Sequence, residues 1–508
     1  MQNLDPANQR AVQKALSTKD ICLIQGPPGT GKTTVITEIV CQILKTNPKA
    51  KILLSSQSHV AVDHALKNIT KLLPQFNIIR IGRADNNRIS EEALSLMMPN
   101  QIKKWIEEVK GKSRMELLKY LRSKFILKEG GDNSIESLLN DIDSVIPKPL
   151  SVSINDSEIT KLITITREWY RKLGKSEEFE AIFARKASIV ASTCMGIASR
   201  HALNSMVFDW VIVDEAGRAT PPELLVPIIR GRKIVLVGDH KQLPPVVNSE
   251  LTKEDLEKLD IRLCDLEKSL FEDLIQKIPD EAKVVLTSQF RMHPAIARLI
   301  AEVFYPSVDI KTKIKPEERK HNLSWWPRTI AWFNTQNLDN CREQEDGLSK
   351  RNYAEAEVIL KILKEINQQY NGSPTKIRVG VISGYAAQKA LLINLVAPSN
   401  SERWENIKII IDNVDAFQGS ETDIAIYSVV RCNKDNRIGF LHDSRRLNVA
   451  LSRARNALII VGNIHFIERV QVSTGNPFGN LLTYMKKNRA DCLIEDAKTY
   501  YAIGGNSK

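Results

Sequence analysis

The run Gly26-Pro27-Pro28-Gly29-Thr30-Gly31-Lys32-Thr33 joins a glycine-rich turn to one lysine and one hydroxyl. It follows the apolar stretch Ile21 to Gln25 and opens a helical pattern from Thr34 to Leu44. In a strand–turn–helix setting, glycines let the backbone curl so that successive N–H groups face phosphate oxygens, and the helix N-terminus adds its positive dipole. Lys32 is expected at the β- and γ-phosphates of a nucleotide and the Thr33 hydroxyl on Mg²⁺, with Thr34 continuing the row of amides.

Four further blocks carry chemistry that such a loop lacks. Val211-Ile-Val-Asp214-Glu215 is an apolar run ending in adjacent carboxylates. Asp214 suits the magnesium ion, which leaves Glu215 to orient or deprotonate an attacking water. Gln242, in His240-Lys-Gln-Leu-Pro-Pro245, can donate to a γ-phosphate and accept from water. Phe290 offers a ring for a purine and Arg291 a guanidinium for a departing phosphoryl group. In Ala416-Phe-Gln-Gly-Ser-Glu-Thr-Asp423, Gly419 permits close backbone approach and Glu421 can accept from a ribose hydroxyl.

A last block, Arg445 to Arg455, is rich in arginine. Leu447, Ala450, Leu451 and Ala454 recur at helical spacing, which predicts an apolar stripe with Arg446 and Arg453 on one flank. Two guanidiniums on that flank are expected to grip the nucleotide from a second domain. Arg445 and Arg455 are expected to point elsewhere.

These residues need a framework, and the apolar runs supply one. The first series is Ile21 to Gln25, Lys51 to Ser56, Ile78 to Gly82, Ser188 to Cys194, Trp210 to Asp214 and Lys233 to Gly238. The second is Lys283 to Thr287, Thr329 to Phe333, Arg378 to Ile382, Ile407 to Ile411, Asp423 to Val430 and Ala457 to Val461. Continuous apolar strands alternating with helical patterns predict α/β architecture with parallel sheets covered on both faces. Two series predict two such domains, over 1–83 with 187–282 and over 283–490, followed by a tail at 491–508. Between them, 84–186 reads as a helical insertion, broken at 130–133 and 147–149. Its segment Lys103 to Lys128 holds nine basic and three acidic residues with Trp105, Tyr120 and Phe125 interleaved. That pattern fits a nucleic-acid backbone contact, and equally a solvated helix pair with aromatics in its core.

At 508 residues the chain is too long for one core, and about three domains are expected. With 72 basic against 60 acidic residues the formal charge is +12, which favours a polyanionic partner. The seven cysteines form no C-x-x-C pair, so they read as reduced thiols of a cytoplasmic or nuclear protein. His59 and His64, five apart, are poorly spaced for shared metal ligation. No uncharged apolar stretch approaches the roughly 20 residues that cross a bilayer, and no signal peptide is visible at the N-terminus.

Taken in order, Gln9 within LDPANQ, GPPGTGKT, DEAGRAT, GDHKQLPP, SQFRMHP, DAFQGSETD and RRLNVALSRAR resemble the blocks of the superfamily 1B helicases, in the branch of the nonsense-mediated-decay helicase and senataxin. The resemblance spans residues 4 to 455. It implies two RecA-like domains of the P-loop NTPase class, ATP held between them, and single-stranded RNA or DNA as partner with 5′→3′ movement. Gln9 would then read the adenine edge and Phe290 stack on it. Lys32, Thr33, Asp214, Glu215 and Gln242 would serve phosphates, magnesium and water. Arg291 and Arg453 would be the two fingers, and Glu421 the ribose contact.

For the strand, the resemblance implies contacts by Ser58, Ser192, Thr193, Tyr385 and Gln388, where hydroxyls and amides suit phosphates rather than bases. There are departures. Gln57 and His59 replace the usual Pro and Asn around Ser58, and Arg218 stands where Gln is usual. Only eight residues precede Gln9, where relatives carry a β-barrel accessory domain. Either the sequence is a truncated core, with a partner protein or a fused domain in that role, or the helical insertion supplies it alone. The competing expectation is an ATP-gated nucleic-acid clamp that does not unwind duplex.

Overall fold

The computed structural model describes residues 4–82, 89–125, 157–173, 177–199, 203, 205–247, 262–397, 404–417, 419–470, 472 and 475–503. The chain divides into two compact units: Met1–Ile39, Asp214–Leu224 and Val235–Lys508 in the first, Val40–Val213 and Leu225–Ile234 in the second.

Seven strands make up the early series: β1 (Ile21–Gln25), β2 (Ile52–Ser56), β3 (Ile78–Arg80), β4 (Ile189–Thr193), β5 (Phe208–Asp214), β6 (Gly231–Gly238) and β7 (Lys283–Val285). In the second unit the order is β3-β4-β2-β5, followed by the start of β6. β2 and β4 are parallel and in register from Ile52↔Ile189 to Ser56↔Thr193, so the loops after them leave from the same edge. Val62, Ala65, Leu66 and Ile69 bury one face of the helix His59–Leu72, whose first turn Ser58 caps by accepting from Ala61 N. The insertion is helical as its spacing predicts, with helices Met98–Phe125, Ser157–Lys172 and Glu177–Lys186. Trp105 lies among Phe179 and Phe183, with ring centroids 5.1 and 6.4 Å away, so this aromatic serves packing. The breaks expected at 130–133 and 147–149 lie outside the described residues.

In the first unit the end of β6 adjoins β1, where Gly26 N donates to Gly238 O at 2.9 Å. On its other side β1 pairs in parallel with β7, from Leu23↔Lys283 to Gln25↔Val285. The second series was expected to open at Lys283, but this strand completes the surroundings of β1. Ten further strands follow among the described residues: β8 (Ser288–Gln289), β9 (Lys311–Thr312), β10 (Ile330–Asn334), β11 (Gln344–Asp346), β12 (Ser349–Arg351), β13 (Ile377–Ser383), β14 (Ile407–Asn413), β15 (Thr422–Ser428), β16 (Ala454–Gly462) and β17 (Cys492–Asp496). Six form a parallel sheet of order β14-β13-β15-β16-β10-β17.

Ala457 to Val461 are fully buried along β16, as a central strand covered on both faces demands. Helices Pro294–Phe304, Ser444–Leu451 and Pro477–Lys487 pack on one face with Ile330, Trp332, Leu458 and Ile460. Helix Tyr353–Gln369 packs on the other with Ala331, Phe333, Ile459 and Val461. The segment set apart as a tail is part of this fold. Cys492 to Asp496 pairs with β10 at the sheet edge, and Ala497 and Tyr500 join the core. Cys492, polar Glu495 and Asp496 interrupt the apolar run, which is why an edge strand was not visible there.

Candidate nucleotide site

The glycine-rich turn is fixed from several sides. Phe290 N donates to Gly29 O at 2.8 Å and Asn8 Nδ2 to Thr30 O at 3.3 Å. Gly29 has φ +74°, and a Cβ there would stand 2.7 Å from Arg291 Cβ, so no larger residue fits. Lys32 Nζ donates to Gly26 O at 2.8 Å, which closes the turn over its own backbone. Thr33 and Thr34 begin the helix Lys32–Thr46, and its first amides face the turn.

Asp214 ends β5 and is 5% exposed. Burial pushes its carboxyl up to about 7, the negative charge of Glu215 adds to this, and Lys32 opposes it. Glu215 N donates to Asp214 Oδ1 at 2.8 Å. Glu215 itself sits at φ 53°, in the left-handed region that a non-glycine residue rarely adopts.

Arg291 Nε donates to Glu421 Oε2 at 3.0 Å and Nη1 to Ser452 O at 3.3 Å. Arg453 is 2% exposed, with Nε on Val449 O at 2.9 Å and Nη1 on Ser420 O at 2.8 Å. Burial, then the positive charge of Arg291, brings its guanidinium down to about 9, while Glu215 and Glu421 oppose the fall. Arg291 likewise feels Glu215 and Glu421. The structure therefore brings Glu215, Arg291, Glu421 and Arg453 into one electrostatic field. Gly419, at φ 81°, has open space where a Cβ would be.

The arginine segment differs from its predicted form. The helix stops at Leu451, and Ala454 already begins β16. Arg446 and Arg453 consequently share no flank: Arg446 pairs with Asp415 at 2.9 Å, while Arg453 turns inward. Arg455 was expected to point elsewhere, but its Nη1 lies 3.3 Å from Glu421 Oε1. A stripe read to Ala454 overran because Ser452 closes the last turn, its N donating to Asn448 O.

The expected base contacts lie in the same unit. Asp5 caps the helix Pro6–Ser17 and also accepts from Ser288 Oγ at 2.7 Å and Lys313 Nζ at 3.0 Å. Gln9 on this helix donates to Leu4 O at 2.8 Å, and Phe290 keeps 38% of its surface exposed, as stacking requires. Gln242 is buried and its Nε2 donates to Asp239 Oδ2 at 2.7 Å.

Of the expected strand contacts, Ser58 and Thr193 lie in the second unit, at the ends of β2 and β4. Ser192 is fully buried in β4, so its hydroxyl does not reach the surface. Gln388 is also fully buried. It accepts from Asn352 N at 2.7 Å and donates to Asn352 O and Ser428 Oγ, so it braces the interior. Tyr385 is 5% exposed and packs its ring 4.6 Å from Phe440. Among the described residues no group of three or more His, Cys, Asp and Glu is placed to hold a metal ion. Among the same residues no helix is long and apolar enough to cross a membrane. Sequence reasoning assigned no role to Asp239, Tyr305 and Asn448; Asp239 and Asn448 lie inside the GDHKQLPP and RRLNVALSRAR blocks and Tyr305 in none, so only their shared hydrogen bonds reveal the link.

A phosphate loop beside a carboxylate pair, with two parallel-sheet α/β bodies in tandem, defines a P-loop NTPase of the RecA-like type. Two family models, each described as an AAA domain, match residues 3–250 and 266–465. An uncharacterised ATP-dependent helicase of Methanocaldococcus jannaschii is 32% identical, the match covering 92% of this chain and 69% of that protein. The "Regulator of nonsense transcripts 1 homolog" of Arabidopsis thaliana is 30% identical over 96% of this chain and 34% of its own length. The "DNA polymerase alpha-associated DNA helicase A" of Saccharomyces cerevisiae is 30% identical over 92% of this chain and 66% of its own. The chain belongs to the superfamily 1 helicases, in the branch of the nonsense-mediated-decay helicase. It spans about two thirds of the first and third of these relatives and one third of the second.

Proposed function

We propose that the chain is an ATP-dependent helicase or translocase that moves 5′→3′ on single-stranded nucleic acid. The observation that carries the ATPase reading is the field shared by Glu215, Arg291 and Arg453, because these are a base and two cations suited to one phosphoryl transfer. In this reading the amides of Gly29 to Thr34 and Lys32 hold the phosphates. Glu215 takes a proton from the attacking water while Gln242 orients it. Arg291 and Arg453 meet the charge that spreads over the departing γ-phosphoryl group. Gln9 and Phe290 hold the base, and Glu421 the ribose.

A hydroxyl and a carboxylate suit a hard divalent cation that keeps most of its ligands as water and phosphate. The buried Asp214 carboxylate, raised by burial and by Glu215, is a group that a cation would relieve. Thr33 and Asp214 would therefore hold Mg²⁺, which would neutralise phosphate charge.

The order of the motif blocks supports the direction of movement, and the excess of basic residues supports a nucleic-acid partner. Ser58, Thr193 and Tyr385 are the proposed backbone contacts, in a cytoplasmic or nuclear protein. ATP turnover measured alone and with matched single-stranded RNA and DNA tests the reading. One of the two should stimulate turnover, and the preferred strand names the substrate; no stimulation by either removes the proposal. Strand affinity should also fall with salt at a log–log slope near −0.7 for each phosphate neutralised.

A further inference from the structure

We propose that Tyr305 is a positioning residue of the nucleotide site, holding Gln242 in register with the segment that carries Arg453. The inference rests on the ATPase reading above and adds a residue that no motif contains. Tyr305 follows the helix Pro294–Phe304 and is 2% exposed, inside the core of the six-stranded sheet. Its hydroxyl lies 2.5 Å from Asp239 Oδ2. Gln242 Nε2 donates to that same oxygen at 2.7 Å. On its far side the Tyr305 oxygen accepts from Asn448 Nδ2 at 2.8 Å, and Asn448 Nδ2 also donates to Lys241 O at 2.7 Å.

The chemistry of the donors fixes the direction of this chain. An amide nitrogen cannot accept, so the single Tyr305 proton goes to Asp239 and the Asn448 proton to Tyr305. Burial and the Asp239 charge raise the phenol well above its ordinary range, so it stays a donor. Asp239 Oδ1 is used as well, accepting from Lys241 N at 3.1 Å and Gln25 Nε2 at 3.5 Å. Asn448 leaves its own Oδ1 buried without a hydrogen-bond partner. An orphaned acceptor is costly, so both amide protons are being held where they are by Lys241 and Tyr305.

The consequence is mechanical. Gln25 ends the strand before the phosphate loop, and Gln242 belongs to the loop expected to sense the third phosphate. Asn448 lies on the helix whose Val449 carbonyl accepts from Arg453 Nε at 2.9 Å. A shift of Gln242 reaches the turn before Arg453 through the shared Asp239 oxygen and the Tyr305 hydroxyl, alongside the direct bond from Asn448 Nδ2 to Lys241 O. The Tyr305 ring fills the core either way, so the hydroxyl alone carries the tyrosine's share of the link.

The test is Tyr305→Phe in the full chain, compared with the wild type and with Gln242→Ala, using ATP and the stimulating homopolymer strand. The expected result is a roughly tenfold fall in stimulated kcat with KM for ATP within about twofold, the size of one well-placed hydrogen bond. Adding Tyr305→Phe to Gln242→Ala should cost almost nothing further, because the hydroxyl acts through that glutamine. An unchanged kcat overturns the assignment. So does a fall that is fully additive with Gln242→Ala or that tracks a lowered melting midpoint, since both mark a merely structural hydroxyl. A wild-type chain without strand-stimulated turnover overturns the underlying ATPase reading, and the inference with it.

Discussion

Arg291 Nε donates to Glu421 Oε2 at 3.0 Å, so a guanidinium assigned to phosphate and a carboxylate assigned to ribose neutralise one another. Glu421 also holds Arg455 at 3.3 Å. It is the anion that lets these guanidiniums gather in a half-buried place. Arg291→Ala should lower kcat by about 10³–10⁵, the usual worth of an arginine finger. Arg291→Lys should restore little, because an ammonium cannot span Glu421, the Ser452 carbonyl and a phosphate. Steady-state ATP turnover checks both variants; activity within a few-fold of wild type in Arg291→Ala would remove the finger from the mechanism.

Glu215 is expected to behave differently from its neighbour Asp214. Its backbone is left-handed, and its charge favours the charged forms of Arg291 and Arg453. Glu215→Gln keeps the shape and loses the proton acceptor. Turnover should drop by about 10²–10⁴, the range for removing a general base, while ATP and strand remain bound together. Equilibrium binding of labelled ATP alongside single-turnover hydrolysis separates the two effects. Full turnover in this variant would contradict the role.

Much of the site was legible because its chemistry needs particular residues at short range. The phosphate loop, the carboxylate pair and the Phe290-Arg291 step each sit within a few residues, and the flanking apolar runs fix strand and helix. What lay beyond reading was contact across long separations. Tyr305 reaches Asp239 across 66 positions and Asn448 across 143, and no periodicity encodes either. The interior placement of Gln388 escaped for the same reason: its partners Asn352 and Ser428 lie 36 and 40 residues away. The β17 edge strand escaped because edges tolerate polar residues, so the pattern that marks central strands is absent.

Glu355 makes the stability of the six-stranded sheet depend on pH. It is fully buried and accepts from Ser428 Oγ at 2.7 Å and from Val430 N at 2.8 Å. Val430 has φ 70°, which a β-branched residue avoids, so this carboxyl holds a strained turn. Burial raises Glu355 to about 8, against an ordinary 4.5, and the hydrogen bonds from Ser428 and Val430 only partly oppose it. A raised folded value means that the folded chain binds this proton more tightly than the unfolded one. The stability is fully present below pH 4.5 and is lost as pH rises through about 8. Thermal melting of wild type and Glu355→Gln between pH 5.5 and 9, by circular dichroism, checks this over roughly the window that the shift defines. The wild-type midpoint should fall with pH more steeply than that of the variant; parallel curves would show that Glu355 does not titrate there.

Arg453 is expected to matter twice, for turnover and for the fold. Its guanidinium is buried against Val449 O, Ser420 O and Ser452 Oγ, and burial beside Arg291 depresses it to about 9. A buried cation facing another cation is held because Glu215 and Glu421 face it too. A γ-phosphoryl group would add negative charge at that place, so the cost of burial is offset most when the site is filled. Arg453→Ala removes the charge, empties the space its buried side chain fills and takes one donor each from Val449 O, which keeps Ser452 Oγ, and from Ser420 O, a loss of about 1–3 kcal/mol in all. The variant should therefore melt measurably lower as well as lose turnover. Arg453→Lys should recover part of the stability, since an ammonium still reaches the carbonyls, but not the rate, which depends on the planar fork. Melting midpoints and kcat measured on all three proteins decide it. A lysine variant that recovered both equally would reduce Arg453 to a structural cation.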